Sequence, residues 1–148
     1  MNWFIKCFKQ YNDFHGRARR MEYWMFWLIS ILISLGLGIV EGFLGTPQIM
    51  GQMFSLLIMI PSVAVAVRRM HDVNKSGWYV FFSYFSSIAL ILLISVTKTP
   101  HSAGMSLLLL SASLGVLAYN IYYVMLLCKK GEEKENRFGI DPKMIMSA

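Results

Sequence analysis

All six arginines of this chain lie in three short polar segments, residues 16–22, 68–72 and 136–141. The same segments hold three carboxylates, a histidine and an asparagine. A guanidinium group offers a planar fork of donors that pairs bidentately with carboxylates and phosphates. The segments are therefore candidates for one cluster, which either binds an anion or forms structural ion pairs; alternatively, the arginines only set the topology. Its candidate members are Arg17, Arg19, Arg20, Glu22, Arg68, Arg69, His71, Asp72, Asn136, Arg137 and Asp141.

Two interpretations of this cluster are open at the level of sequence. In the structural one, arginine–carboxylate pairs join the three segments, and Arg68 and Arg69 also suit the negative C-terminal end of the preceding helix. In the functional one, three carboxylates cannot pair one-to-one with six arginines. The surplus guanidinium groups would then hold an anionic lipid, a phosphate or an acidic partner. Structural ion pairs are the commoner reason for such groupings.

His71 and Asp72 also invite a catalytic interpretation, because histidine titrates near neutral pH and can move protons. No serine or cysteine motif accompanies them, so a structural hydrogen bond is the preferred prediction for His71. The two cysteines, Cys7 and Cys128, show neither C-x-x-C nor Cys/His ligand spacing. We therefore predict no catalytic residue, no metal site and no cofactor.

The polar segments are separated by apolar stretches long enough to cross a bilayer. Hydrophobic residues make up 56% of the chain and charged residues 15%, against about 25% charged residues in globular domains. A spanning helix needs about 20 mainly apolar residues. Four stretches qualify, at about residues 23–44, 49–67, 78–96 and 104–127. The sequence thus predicts an all-α membrane protein with four transmembrane helices in a single membrane domain over residues 1–148.

The basic residues predict the orientation of these spans. Of the 14 lysines and arginines, all but Lys98 lie in residues 1–22, in the loop between the second and third spans, or in residues 128–148. Short loops rich in lysine and arginine stay on the cytoplasmic side. Both termini are therefore predicted to be cytoplasmic. Topology and attraction to anionic lipid explain the net charge of +6 more simply than nucleic-acid binding does.

The N-terminal residues 1–14 form a separate element. Trp3, Phe4, Cys7, Phe8 and Tyr11 recur at helical spacing, with polar residues on much of the other face. This pattern predicts a short amphipathic helix, which lies in the headgroup region of the membrane or packs against the protein's own helix ends. We favour the interfacial position, because the basic residues of this helix suit anionic lipid.

Two features of the first span bear on assembly and transport. Gly38 and Gly42 form a G-x-x-x-G pair, which can drive homo-oligomerisation or close packing within one chain. We favour packing within the chain, because glycine is common in transmembrane helices generally. Glu41 is the single acidic residue within a span, and such residues often mark transport pathways. It lies near the outer end of its span, where we expect it to be hydrated.

The polar segments also carry a family resemblance. The first signature consists of Phe14, Gly16, Arg17, Ala18, Arg19, Arg20, Glu22, Tyr23 and Trp24; the second of Arg68, Arg69, His71, Asp72, Ser76, Gly77 and Trp78; the third of Asn136, Arg137, Phe138, Gly139, Asp141 and Pro142. In order and spacing they resemble the YhaH-like bacterial inner-membrane proteins, domain of unknown function 805, over nearly the whole chain. The chain departs from the family at Lys134 and Ile140, where glycine and proline are frequent. The resemblance implies a small multi-span protein of the bacterial cytoplasmic membrane, without an established activity.

The leading hypothesis is a non-enzymatic inner-membrane component whose basic cytoplasmic face binds anionic lipid or an acidic partner. One alternative is a small oligomeric transporter that depends on Glu41. The other is a membrane-embedded enzyme that uses His71 and Asp72.

Overall fold

The computed structural model describes residues 3–97, 103–140 and 142–145. Within these ranges the chain forms six helices. They are α1 (Trp3–Lys9), α2 (Arg20–Leu44), α3 (Ile49–Asp72), α4 (Trp78–Thr97), α5 (Ala103–Cys128) and α6 (Pro142–Ile145). The long helices α2, α3, α4 and α5 are each apolar and long enough to cross a membrane. The prediction of four spanning helices is therefore confirmed, with α3 continuing to Asp72 rather than ending near residue 67.

Backbone conformation explains where the helices end. Gly45 follows α2 in the left-handed region, with φ of 62°, and its N–H donates to the carbonyl of Gly42 at 3.3 Å. Glycine adopts this conformation without a steric penalty, which makes it the usual residue after a helix. Asn74, two residues after the end of α3, also lies in the left-handed region, with φ of 57°, and asparagine is among the few other residues that tolerate it. The turn at Gly45 joins α2 and α3 as one hairpin, and the turn at Asn74 leads from α3 into α4.

The helices pack together mainly at one end, which we call the basic end. There α2 and α4 begin and α3 and α5 end; the other end is the distal end. Every residue from 64 to 70 of α3 is buried, because α1, α2, α4 and α5 all contact this helix. The apolar core at this end consists of Ala66, Val67, Met70, Val80, Tyr123, Leu126 and Leu127. By contrast, residues 42–50 around the distal turn are all exposed.

Helix α1 packs its apolar face against the rest of the protein. Phe4 stacks on Phe26 of α2 with ring centroids 5.4 Å apart, and Cys7 is fully buried beside Ala18 and Val65. The apolar face of α1 therefore packs against the protein's own helices, which is one of the two arrangements considered for this helix. The position of α1 at the level of the lipid headgroups stays a prediction.

The glycine pair of α2 has no packing partner within the described chain. A Cβ atom on Gly38 or Gly42 would have no neighbour within 4 Å. Close packing of α2 through this pair inside one chain is therefore not seen, since such packing would bring a second helix into van der Waals contact. Homo-oligomerisation through Gly38 and Gly42 stays a prediction.

Candidate functional site

The carboxylate of Asp72 is the centre of a buried charge cluster at the basic end. It lies in the last turn of α3 and is 5% exposed. Arg17, in the segment before α2, donates to Oδ1 from Nε at 3.0 Å, and its Nη2 is also 3.0 Å from that oxygen. Arg69 donates from Nη1 to Oδ2. One carboxylate thus holds two guanidinium groups from different segments of the chain.

Backbone carbonyls of the C-terminal tail occupy the other donors of these two arginines. Arg17 donates to the carbonyls of Lys134 at 2.8 Å, Gly139 at 3.2 Å and Glu132. Arg69 donates to the carbonyls of Leu127 at 3.1 Å and Lys129. We call this group the arginine clasp; it comprises Arg17, Arg69, Asp72 and the backbone of residues 127–139, at the end of α5 and in the tail. The clasp holds the tail against the start of α2 and the end of α3.

The tail backbone must lie very close to Asp72 for the clasp to close. The N–H of Glu132 donates to the carbonyl of Asp72 at 3.0 Å. At Gly131, a Cβ atom would overlap the Asp72 carboxylate. Glycine is therefore required here for its small size, since its φ is not in the left-handed region.

A second ion-pair group joins α1, α2 and α3. Glu22 is fully buried and accepts from Lys6 Nζ at 2.6 Å and from Arg68 Nη1 at 3.2 Å. Arg68 also donates to the side-chain oxygen of Gln10 and to the carbonyl of Ala64 at 3.4 Å. This group holds the N-terminal segment against the spanning helices.

The third polar segment closes over His71. The side-chain amide of Asn136 donates to the His71 carbonyl at 2.9 Å. The His71 ring stacks on Phe138 at 3.8 Å with an interplanar angle of 4°. His71 Nδ1 lies 3.2 Å from the carbonyl oxygen of Gly16. The side chains of His71 and Asp72 thus have separate partners, and they do not form the acid–base pair that the enzyme hypothesis requires.

The remaining arginines lie nearer the surface. Arg19 donates to the carbonyl of Pro142 at 2.6 Å. Arg20 is exposed and donates to the carbonyl of Cys128 at 3.3 Å. Arg137 is exposed, donates to the carbonyl of Asn74 at 3.3 Å and covers the ring of Phe138. Asp141, predicted as a cluster member, lies outside the described residues.

Comparison with known proteins places this arrangement in a family. Residues 11–140 match the family described as "Protein of unknown function (DUF805)". The chain belongs to the DUF805 family. The matched range contains the first two polar segments and all but the last residue of the third, so the clasp lies within the family's shared region. No solved structure matches the chain.

Two curated relatives agree with this assignment. The DUF805 chain is 32% identical to "Inner membrane protein YhaH" of Escherichia coli (strain K12), over 97% of this chain and 98% of the relative. It is 31% identical to "Inner membrane protein YhaI" of the same strain, over 70% of this chain and 89% of the relative. With four spanning-length helices, this DUF805 member is a multi-pass protein of the inner membrane.

Several residues of the site in this DUF805 chain are missed by sequence reasoning. They are Lys6 and Gln10 on or beside α1, Gly131, and the carbonyl groups at positions 127–134. Every residue has a carbonyl group, so a sequence pattern does not distinguish those that accept from arginine. A single signal was present: Gly131 lies three residues after the end of α5, and a glycine near a helix end often marks a change of chain direction.

Glu41 lies apart from the clasp and has a structural role. It is 1% exposed, so the expectation of a hydrated side chain is wrong. Its Oε1 accepts from the N–H of Met50 at 2.5 Å and its Oε2 from the N–H of Gly51 at 3.4 Å. These are the first N–H groups of α3, which lack partners within the helix and favour a negative charge. Glu41 therefore joins α2 to the start of α3.

Proposed function

We propose that this protein is a non-enzymatic inner-membrane component whose basic end faces the cytoplasm and binds anionic lipid headgroups. The binding surface would be the exposed basic groups at the start of α2 and the end of α5. We call it the basic rim, formed by Arg20, Lys129 and Lys130; Lys130 also pairs with Glu133. The observation that carries the proposal is the contact between Arg20 and the Cys128 carbonyl, which brings these groups together at the end of two spanning helices.

The clasp arginines differ from the rim in what they can reach. Arg69 is fully buried and Arg17 is 7% exposed, and both donate to Asp72 and to tail carbonyls. A headgroup has no access to them in this conformation. Arg20 and Lys129 are exposed, and each basic residue near an anionic membrane surface contributes about 1 kcal/mol. The rim therefore supplies the lipid-binding charge, while the clasp holds the rim in place.

The two alternative functions, transport and catalysis, depend on residues whose side chains already have structural partners. Both carboxylate oxygens of Glu41 accept from the backbone of α3, and His71 and Asp72 have separate partners. Among the described residues, neither transport nor catalysis has an observation comparable to the rim.

Lipid retention tests the rim. We expect Arg20→Gln and Lys129→Gln each to lower retention of phosphatidylglycerol about five-fold, since about 1 kcal/mol per charge corresponds to that ratio. Native mass spectrometry of the purified protein, with phosphatidylglycerol and phosphatidylcholine compared, measures it. Lys134→Gln is the matched control, because it removes one exposed charge of the tail that is not part of the rim.

If retention falls equally in all three variants, the loss depends only on the net charge of the protein. That result would overturn the rim as a site. Unchanged retention in both rim variants would overturn lipid binding, and an acidic protein would then be the ligand to test.

Cysteine labelling tests the orientation. Cys128 is exposed and Cys7 is buried; burial, together with the nearby Glu22 carboxylate, raises the pKa of the Cys7 thiol to about 11. Because the thiolate is the reactive form, Cys7 stays protonated and unreactive at neutral pH. We expect a membrane-impermeant maleimide to label inside-out vesicles at Cys128 and to leave right-side-out vesicles unlabelled. Cys128→Ser removes the signal, and the reverse vesicle pattern would contradict a cytoplasmic basic end.

A further inference from the structure

A cavity of about 380 Å³ lies among the spanning helices next to the basic end. Its floor is the face of α3 that carries Ser62 and Val65, and its walls come from α2 and α4, with Tyr123 of α5 at one side. This volume falls within the range of about 300–1,000 Å³ that is typical of small-molecule sites. The cavity is separate from the clasp and from the basic rim, and shares no residue with either.

Hydroxyl groups dominate the polar part of the cavity lining. Five serines and three tyrosines contribute to it, and none of the lining residues is aspartate, glutamate, lysine, arginine or histidine. The other lining residues are apolar. In a membrane interior an ion needs a paired charge, and this lining offers none. The cavity therefore suits a neutral molecule that has both apolar and hydrogen-bonding parts.

Ser30 determines which hydrogen-bonding group would fit. Its side chain lines the cavity, the residue is 7% exposed, and its buried Oγ has no hydrogen-bond partner in the described chain. Ser62 instead donates to the carbonyl of Ile58 at 2.6 Å, and Ser83 donates to Asn120 Oδ1 at 3.2 Å. A buried hydroxyl without a partner is costly. Ser30 is therefore a buried donor of the lining that can bind an acceptor oxygen on a ligand.

The packing of the helices gives the cavity access to the bilayer. Helix α2 packs along α3, and α4 packs along α5, with α3 joining the two pairs. Among the described residues, α2 makes no extended contact with α4 or α5. We therefore expect the cavity to open to the bilayer on the side between α2 and α4. A ligand that enters there comes from the lipid phase, and its apolar chain can remain in the bilayer.

We infer that this cavity binds a neutral lipid through a carbonyl oxygen, which accepts the hydrogen bond of Ser30. The chemistry is shared by two sources: the ester carbonyl of a diacylglycerol and the ring carbonyl of an isoprenoid quinone. Both are uncharged and both partition into the membrane. This site is independent of the basic rim, which takes charged headgroups at the surface.

The test uses the purified full-length chain in detergent with two probes, dioleoylglycerol and decylubiquinone, each titrated by native mass spectrometry. We expect at least one probe to bind. Ser30→Ala should weaken binding about five-fold, in line with the loss of one hydrogen bond, and Ser30→Leu should abolish it by filling the cavity. Ser111→Leu is the control, because Ser111 is exposed on α5 away from the cavity, and should bind as the unaltered protein does.

The outcomes show which of the two lipids is preferred and whether the inference holds. Binding of one probe alone identifies whether the ester or the quinone carbonyl is preferred. Failure of both probes to bind would overturn the inference, as would equal binding by the unaltered protein and Ser30→Ala. If Ser30→Leu does not give a monodisperse preparation, Ser30→Ala still decides, because it removes only the hydroxyl group.

Discussion

Asp72→Ala is expected to destabilise the folded protein by about 3–5 kcal/mol, the usual cost of removing one partner of a buried ion pair. The variant leaves Arg17 and Arg69 buried, without the carboxylate that both contact. Their remaining acceptors are neutral carbonyls, which do not balance two charges. Chemical unfolding in mixed micelles measures the loss. Trypsin should also cleave the tail faster after Lys134, because Arg17 no longer holds it at that carbonyl.

Asp13→Ala is the matched control for this variant. Asp13 is partly exposed, and the His15 side chain opposite it is fully exposed at 3.8 Å. Exposed pairs of this kind contribute about 0–1 kcal/mol, so a small change is expected. Equal stability of Asp72→Ala and Asp13→Ala would show that the clasp does not hold the fold together.

Gly131→Ala should destabilise the protein by about 1–3 kcal/mol, the range for an added methyl group in a tightly packed site. The new Cβ would overlap the Asp72 carboxylate, so either the tail or Asp72 has to move. The variant removes no charge and no donor, and it tests the fit of the tail alone. Unfolding in mixed micelles and cleavage after Lys134 again provide the two measurements.

Gly115→Ala is the control, and its expected change in stability has the opposite sign. Gly115 lies within α5, and a methyl group added there would have no neighbouring atom within 4 Å. Alanine is favoured over glycine in a helix interior by about 1 kcal/mol. We expect Gly115→Ala to keep or raise stability. Destabilisation of the same size in both variants would contradict the close approach of Gly131 to Asp72.

The spanning helices and the three polar segments could be predicted from sequence, because both follow from local composition. Apolar runs of sufficient length fix the helices, and arginines confined to short segments mark the basic end. Helix ends were less predictable. Helix α3 continues through Arg68 and Arg69, since these charges pair with Glu22 and Asp72 instead of being solvated by water. Burial of a charge depends on partners distant in sequence, and a local pattern does not contain them.

The surplus of arginine over carboxylate illustrates the same limit. The comparison of six arginines with three carboxylates counts only side chains as acceptors. In the structure, backbone carbonyls fill most of the difference, and Arg17 alone uses those of Glu132, Lys134 and Gly139. The excess therefore gives no direct evidence for a bound anion. Whether the three segments meet was left open by the sequence, because the positive-inside rule alone also places arginines on one face.

The arginine clasp also sets an order for biosynthesis. The ribosome makes Arg17 before the four spans, whereas it makes the acceptors at Glu132, Lys134 and Gly139 after them. The four spans are therefore made before the groups that close their basic end. Until the tail leaves the ribosome, Arg17 and Arg69 lack their carbonyl partners, and the helices are held mainly by the hairpin turns and the apolar contacts of α3. Closure of the basic end therefore follows the synthesis of all four spans, and the segment at residues 132–139 carries it out.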